Sequence, residues 1–89
     1  MSNDQNPNEQ QWKLLVFLLK EIADSKKITQ EEIAERSGLH QSNISRFFGL
    51  KYSPNMSTFL LVSKALKVNF FFEDQEGTTE LNVLFEKAT

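Results

Sequence analysis

The sequence predicts an all-α fold, and three observations lead to that prediction. Apolar side chains recur at the three- and four-residue spacing of a helix face along most of the chain up to residue 66. Residues that favour helix N-termini precede these segments, and Gly38 and Gly49 follow two of them. Eighty-nine residues, of which 39% are hydrophobic, suit a single domain with one core.

The first helix is predicted from about Glu9 to Asp24. Residues 1–8 are polar and contain Pro7, so we expect a disordered N-terminal tail before it. The apolar side chains of this segment share one broad helical face, which predicts a deeply packed helix. They are Trp12, Leu15, Val16, Leu19, Ile22 and Ala23, with Leu14 and Leu18 widening the face.

Two short helices are predicted next, on capping and stop signals. Thr29, followed by Glu31 and Glu32, predicts the start of a second helix that runs through Ser37 and stops at Gly38. The third helix is predicted to start near His40 or Gln41 and to end about Phe48, with Gly49 in the left-handed conformation.

Residues 52–55 predict a turn, and Asn55 or Ser57 is expected to cap a fourth helix that ends about Leu66. Residues 68–74 suit a short strand or a buried turn, and residues 73–77 a loop. Residues 78–89 fit a helix through Leu81, Leu84, Phe85 and Ala88, or a strand through Leu81, Val83 and Phe85. We favour the helix because Thr78 or Thr79 offers an N-cap, and a hairpin of residues 69–73 and 79–85 remains the alternative.

Charge is unevenly distributed along the chain, whose formal net charge is −2. Residues 36–72 hold five basic side chains and no acidic one, whereas both flanking segments are acidic. A local positive field attracts polyanions such as nucleic acid even when the whole molecule is negative. An ordinary solvated surface is the competing interpretation of five charges.

Several functional classes are disfavoured. The chain has no cysteine and one histidine, so we expect no disulfide, no bound metal and no cofactor. The apolar run at 14–19 is too short to cross a membrane, and the N-terminus does not resemble a signal peptide, which predicts a cytoplasmic protein that does not enter a membrane. Ser42 and Ser45 lack an evident base, so we expect no enzyme.

Residues 30–48 have the anatomy of a helix-turn-helix, two helices that cross steeply through a short turn. Ala34 is small where the second helix passes close by, Gly38 tolerates a positive φ, and Ile44 fills the space between the helices. Three further apolar residues complete the pattern: Ile33, Leu39 and Phe47.

Between residues 28 and 68 the sequence resembles the Cro/CI-type (XRE-like) helix-turn-helix domain of phage and bacterial transcriptional regulators. The resemblance is carried by the TQEEIA opening, the central ISR and the late SKAL. It implies an all-α, five-helix, lambda-repressor-like domain, which we place at residues 9–72, that binds double-stranded DNA as a homodimer. Residues 73–89 would form an acidic C-terminal extension, predicted to be helical, for packing or dimerisation.

The resemblance also implies a function. The expected protein is a sequence-specific transcriptional regulator, a repressor, that inserts helix three (about 41–48) in the major groove. The alternative is an antitoxin-like or regulatory protein-interaction subunit with the same fold, which would hold a protein partner through its C-terminal segment.

Helix three is the expected reading element. With Ile44 and Phe47 inward, the residues at i, i+3, i+4 and i+7 point outward and are small or polar: Ser42, Ser45, Arg46 and Gly49. The resemblance places Gln41, Ser42 and Arg46 at base-reading positions, and Ser45 shares their face. It places Gln30 and Asn43 at positions that hold phosphates, and Lys51 follows into a phosphate-facing loop.

The sequence departs from the family pattern in four places. His40 stands where a hydroxyl cap is usual and Leu50 where glycine is common, so the exit of helix three is expected to turn at Gly49. Phe48 and Leu61 replace residues that are more often charged. With residues 70–72 they supply extra apolar surface, for which a two-fold interface is our hypothesis and cover by the C-terminal segment the alternative.

Overall fold

The computed structural model of the chain describes residues 7–70 and 74–77, with side chains from Gln10 onward. Four α-helices and no strand occur in these residues, which confirms the all-α prediction. The helices are α1 (Pro7–Lys26), α2 (Gln30–Ser37), α3 (Gln41–Phe48) and α4 (Met56–Ala65). The fifth helix expected at 78–89 and nearly all of the alternative hairpin lie outside the described residues. Residues 74–77 form a turn, as expected for the loop at 73–77.

Helix α1 is longer than predicted at both ends. It begins at Pro7, so residues 7 and 8 belong to the helix and not to the expected tail. Proline suits a first helical turn, where the backbone N–H that it lacks would have no intrahelical acceptor. The helix ends at Lys26 because Lys27 takes a left-handed φ of 58°, and the N–H of Ile28 then bonds to the Ala23 carbonyl at 2.9 Å.

Helix α2 has the start and the stop that its sequence predicts. The Thr29 hydroxyl accepts a hydrogen bond from the Glu32 N–H, and the Glu32 carboxylate accepts one from the Thr29 N–H. Gly38 ends the helix with φ 78°, and its N–H donates to the Ala34 carbonyl at 2.9 Å. These reciprocal caps satisfy backbone groups that a helix of eight residues leaves open at its ends.

The exit of α3 differs from the prediction by one residue. Gly49 keeps a right-handed φ of −73°, and Leu50 takes the left-handed conformation at φ 62°. The Gly49 N–H bonds to the Arg46 carbonyl at 3.2 Å, so the chain reverses only after this last turn has closed. Leu50 packs half-buried against the core, and this burial offsets the cost of about 1 kcal/mol for a left-handed residue with a Cβ.

Helix α4 is capped by Asn55, whose side-chain oxygen accepts from the Thr58 N–H at 2.7 Å, and not by Ser57. It ends at Ala65, one residue before the predicted end, and Lys67 follows with φ 60°. The N–H of Val68 bonds to the Ser63 carbonyl at 2.9 Å and completes the same kind of C-terminal cap as that of α1.

The core lies where the four helices meet, with α2 packed against α3 and α4 and with α1 packed against α3. Phe48 belongs to it and is only 8% exposed, with its ring edge against Phe47 at a centroid distance of 5.0 Å. Phe48 therefore offers little surface for a second subunit, contrary to the expectation from its departure from the family pattern. The buried apolar residues are Val16, Leu19, Ala23, Ile33, Ile44, Phe47, Phe48, Val62, Ala65 and Leu66.

The prediction of a deeply packed first helix holds for one face of α1 only. Val16, Leu19 and Ala23 are buried, whereas Leu15 and Leu18 are about half exposed. Three- and four-residue spacing identifies the apolar side of a helix, but which part of a wide apolar side is covered depends on the position of its neighbours.

Two cations from separate helices tie the C-terminal end of α4 to the rest of the fold. The Lys26 ammonium donates to the Leu66 carbonyl at 2.7 Å, and the Arg36 guanidinium donates to the Ala65 carbonyl at 3.0 Å. Positive groups are favourable there because the last carbonyls of a helix lack backbone donors and carry partial negative charge.

Candidate nucleic-acid interface

Helix α3 presents two different faces. Ile44 and Phe47 are buried at 0% and 3% exposure and fasten the helix to the core. Ser42, Ser45 and Arg46 are exposed on the opposite side. This division follows from the sequence, because residues at i, i+3 and i+4 share one face of a helix. The buried pair fixes the orientation of the helix, and so fixes which side chains point away from the domain.

The polar side chains of α3 are free of internal partners within the part of the chain that the structure describes. Gln41, Ser42, Ser45 and Arg46 make no side-chain hydrogen bond or ion pair there, and all four are exposed. An amide, two hydroxyls and a guanidinium supply donors and acceptors of the kinds that recognise base edges. The structure thus places these four predicted residues on one accessible surface.

The N-terminus of α3 adds backbone donors to that surface. His40 occupies the N-cap position, as the sequence predicts, but its side chain makes no capping hydrogen bond. The first turn contains no acidic residue, so nothing in it neutralises the partial positive charge of this helix end. This end of α3 is favourable for an anion such as a backbone phosphate.

A shallow cleft beside α3 contains residues that the sequence analysis did not assign to the site. Its volume is about 310 Å³, and it lies between α3, the 52–55 turn and the start of α4. Asn43 and Arg46 line it together with four polar or hydroxyl residues, which are Tyr52, Ser53, Asn55 and Thr58. The sequence analysis predicted only a turn here. Tyr52 and Ser53, directly after Lys51, carry hydroxyl groups that could have indicated a polar binding surface.

The remaining predicted phosphate contacts stand apart from this cleft. Gln30 is half-buried at the first position of α2, and Lys51 is exposed in the loop after α3. Neither side chain makes a hydrogen bond or an ion pair in the described residues, so each is available to a ligand.

The basic middle of the sequence is divided between structure and surface. Arg36 bonds to the Ala65 carbonyl and lies 3.8 Å from the Glu32 carboxylate, so it supports the fold. Arg46 and Lys51 have no such partner within the described residues and lie on or directly after α3. Arg46 and Lys51 therefore supply available positive charge on α3 and directly after it.

Glu32 is held in its charged form by the cap of α2. The Thr29 backbone N–H, 3.0 Å from the carboxylate, is the main cause that lowers the pKa of Glu32. Desolvation opposes it, and the Thr29 hydroxyl and Arg36 lower the pKa further. The carboxylate is therefore ionised at neutral pH, with Arg36 nearby to compensate its charge.

Helices α2 and α3 pack against each other and are joined by a short turn with a left-handed glycine, and α3 presents a free polar face. These features define a helix-turn-helix protein. A family model described as Helix-turn-helix matches residues 19–72, which is more than half of the chain. The chain therefore belongs to the helix-turn-helix family of DNA-binding regulators, of the XRE or Cro/CI type. No curated protein and no solved structure gives a significant match.

The described residues contain neither a candidate metal site nor a candidate membrane-spanning helix. No group of three or more His, Asp or Glu residues there could hold a metal ion. None of the helices in that part of the chain is both long and apolar enough to span a membrane.

Proposed function

We propose that this protein is a sequence-specific double-stranded DNA-binding transcriptional regulator that represses by occupying a short, roughly palindromic operator as a homodimer. The observation that carries the proposal is the exposed face of α3, where Gln41, Ser42, Ser45 and Arg46 have no internal hydrogen-bond partner among the described residues. A major groove about 12 Å wide admits one α-helix, and small or polar outward residues let its backbone approach the bases.

The roles of the side chains follow from their chemistry. Arg46 would read a guanine through two parallel hydrogen bonds, and Gln41 would pair with an adenine in the same bidentate manner. Ser42 and Ser45 are short, so they would contact bases only where α3 lies deep in the groove. These contacts would supply sequence specificity.

Contacts to phosphates would supply most of the sequence-independent affinity. We assign this role to Gln30 at the start of α2, to Asn43 on the side of α3 and to Lys51 in the following loop. Tyr52 and Ser53 extend the same surface, because they line the cleft with Asn43. A hydroxyl donates readily to a phosphate oxygen, so both fit a backbone that passes along the cleft.

A dimer suits such a short reading surface. One helix of eight residues contacts only a few base pairs, and two copies related by a two-fold axis double the site. Two copies of α3 placed about 34 Å apart would reach successive major-groove faces on one side of the duplex. Repression would follow when the occupied operator overlaps the site where transcription starts.

The decisive experiment is selection of bound sequences from random duplex DNA, followed by affinity measurement for the enriched site. We expect a two-fold symmetric consensus, bound roughly a thousandfold more tightly than random duplex at the same salt concentration. Enrichment of a single asymmetric half-site would remove the dimer from the proposal. If no sequence is enriched above random duplex, the proposal of sequence-specific DNA binding is wrong.

A further inference from the structure

The outward side of α1 carries a cluster of exposed apolar side chains that the proposed function does not use. Leu14, Leu15, Phe17 and Leu18 are between 45% and 56% exposed, although they follow one another within five residues. All four precede Leu19, where the match to the helix-turn-helix family begins. This apolar surface is therefore an addition to the family domain and not part of its common core.

Two of these exposed side chains form an ordered stripe with the half-buried Ile22. Leu15, Leu18 and Ile22 follow the alternating three- and four-residue spacing of a helix that packs along a second helix, and they span about 10 Å. Leu18 and Ile22 also line a shallow groove with Glu21, Ser25 and Lys26. An apolar stripe bordered by polar residues in this way is typical of a helix-binding surface.

A complementary stripe exists in the same chain. Residues 78–89 lie outside the described residues, and their sequence places Leu81, Leu84 and Ala88 at the same three- and four-residue spacing, with Phe85 beside them. As a helix these twelve residues would be about 18 Å long, enough to cover the stripe on α1. A helix this short is marginal in water by itself, so its apolar face requires a partner surface.

Charge also favours this pairing. Residues 10–20 contain Lys13 and Lys20 and no acidic side chain, whereas residues 78–89 contain two acidic side chains and one lysine, and three more acidic side chains directly precede them at 73–76. Opposite net charge favours association of the C-terminal segment with residues 10–20, which contain Leu15 and Leu18, whereas Ile22 follows Glu21.

We infer that residues 78–89 form a helix that packs through Leu81, Leu84 and Phe85 on the apolar stripe of α1 within the same chain. Segments on either side of the family domain would then cover each other and extend its core. The inference does not depend on the proposed DNA-binding function, because none of the residues assigned to DNA lies on either segment.

Disulfide trapping in the full chain tests the inference, because the protein has no cysteine of its own. Leu84→Cys is combined in turn with Leu15→Cys, Leu18→Cys and Ile22→Cys, which occupy successive turns of α1 and so sample different registers. Under mild oxidation without DNA, we expect at least one pair to form an intramolecular disulfide roughly tenfold faster than the control pairs.

Two control pairs carry the same number of cysteines on the wrong faces. Lys20→Cys with Leu84→Cys changes the face of α1, and Leu18→Cys with Val83→Cys changes the face of the C-terminal segment. Cross-linking at the control rate for all three test pairs would overturn the inference. So would a covalent dimer from Leu18→Cys alone that forms faster than any intramolecular bond, since a second copy would then occupy the stripe.

Hydrogen exchange gives a second test that introduces no cysteine. Leu84→Asp is expected to speed amide exchange in residues 10–18 by roughly fivefold or more, because α1 loses a packing partner. Val83→Asp adds the same charge on the opposite face of the proposed helix and should leave that exchange unchanged. Equal effects of the two substitutions, or no effect of Leu84→Asp, would contradict the helical packing.

Discussion

At the scale of single residues, neighbouring side chains of α3 have separate tasks. Ile44 is fully buried and holds the helix in place, while Arg46, two positions later, is exposed and makes no ion pair in the described residues. Lys51 carries the same charge but lies in the loop beyond the helix. Position relative to the groove, rather than charge, should therefore distinguish their contributions to DNA binding.

Arg46→Ala and Lys51→Ala form a matched pair for the two kinds of DNA contact. We expect Arg46→Ala to cost about 1 to 3 kcal/mol on the selected site and to relax the base preference at one position in each half-site. Lys51→Ala should weaken binding to selected and random duplex alike. Titrations of both variants on both DNAs measure this, and equal losses for Arg46→Ala on the two DNAs would identify Arg46 as a phosphate contact.

The cap of α2 predicts a dependence of stability on pH through one residue. Because the hydrogen bonds of Thr29 lower the pKa of Glu32, this carboxylate stabilises the fold at pH values above its ordinary pKa. That stabilisation is lost as the pH falls through the lowered pKa. Glu32→Gln should therefore be less stable than the unmodified protein near neutral pH, and the difference should shrink in acid.

Thermal unfolding midpoints recorded from about pH 7 to about pH 3 check this expectation. The Glu31→Gln variant removes the same charge from the same turn without touching the Thr29 hydrogen bonds, so it measures the effect of net charge alone. If the unfolding midpoints of Glu32→Gln and the unmodified protein differ by the same amount at every pH in this range, the charge of Glu32 does not contribute to the stability of the cap.

At the scale of elements, the helix ends depend on backbone conformation at single positions. Gly38 has φ 78° and ends α2, whereas Gly49 has φ −73° and completes the last turn of α3. A Cβ on Gly38 would meet no atom within 4 Å, and one on Gly49 would make ordinary contacts of 3.4 Å with two backbone carbonyls. Both glycines therefore have room for a Cβ, and it is the backbone conformation that distinguishes them.

Alanine should destabilise the fold at Gly38 but not at Gly49. Gly38→Ala forces a Cβ into the left-handed region and should lower the free energy of unfolding by about 1 kcal/mol. Gly49→Ala is compatible with its φ and should be neutral, or stabilising by up to about 1 kcal/mol through loss of unfolded-state entropy. Denaturant titrations of the two variants decide this, and an equal loss at both positions would contradict the helix-three exit described above.

At the scale of the whole molecule, the basic middle of the chain is shared between fold and surface. Arg36 and Lys26 bind the carbonyls at the end of α4, so they hold three helices together. Arg46 and Lys51 remain accessible near α3. A DNA-binding surface can therefore exist on a protein whose formal net charge is −2.

The salt dependence of DNA binding should separate these two groups of cations. Lys51→Ala is expected to reduce the slope of log affinity against log salt concentration by about 1, since one phosphate contact is lost. Arg36→Ala should leave the slope unchanged and instead lower stability by about 1 kcal/mol, because its guanidinium is partly exposed. A reduced slope for a correctly folded Arg36→Ala protein would place Arg36 on the DNA surface.

The proposed homodimer is a property of the whole molecule as well. We expect sedimentation velocity at tens of micromolar protein to show a dimer, and addition of the selected palindrome to favour that dimer further. A single half-site duplex of equal length is the control, because it offers no second reading position. A protein that stays monomeric on the palindrome would contradict the homodimer and indicate that one copy of α3 binds each operator.

The start and stop of α2 and the inward and outward faces of α3 follow from the sequence by itself. The Thr29–Glu32 cap, the stop at Gly38 and the burial of Ile44 depend on residues within a few positions of one another, so local spacing encodes them. The free outward face of α3 was predictable for the same reason.

Only the tertiary structure decided which part of α1 is covered and that Phe48 is buried in the core. It also decided that Arg36 binds the Ala65 carbonyl and that the 52–55 turn forms a cleft with α3. It also placed the left-handed residue at Leu50 and not at Gly49, because the packing of Leu50 offsets an unfavourable φ. Each of these features depends on residues from other elements, whose distance and direction a local pattern of spacing does not contain.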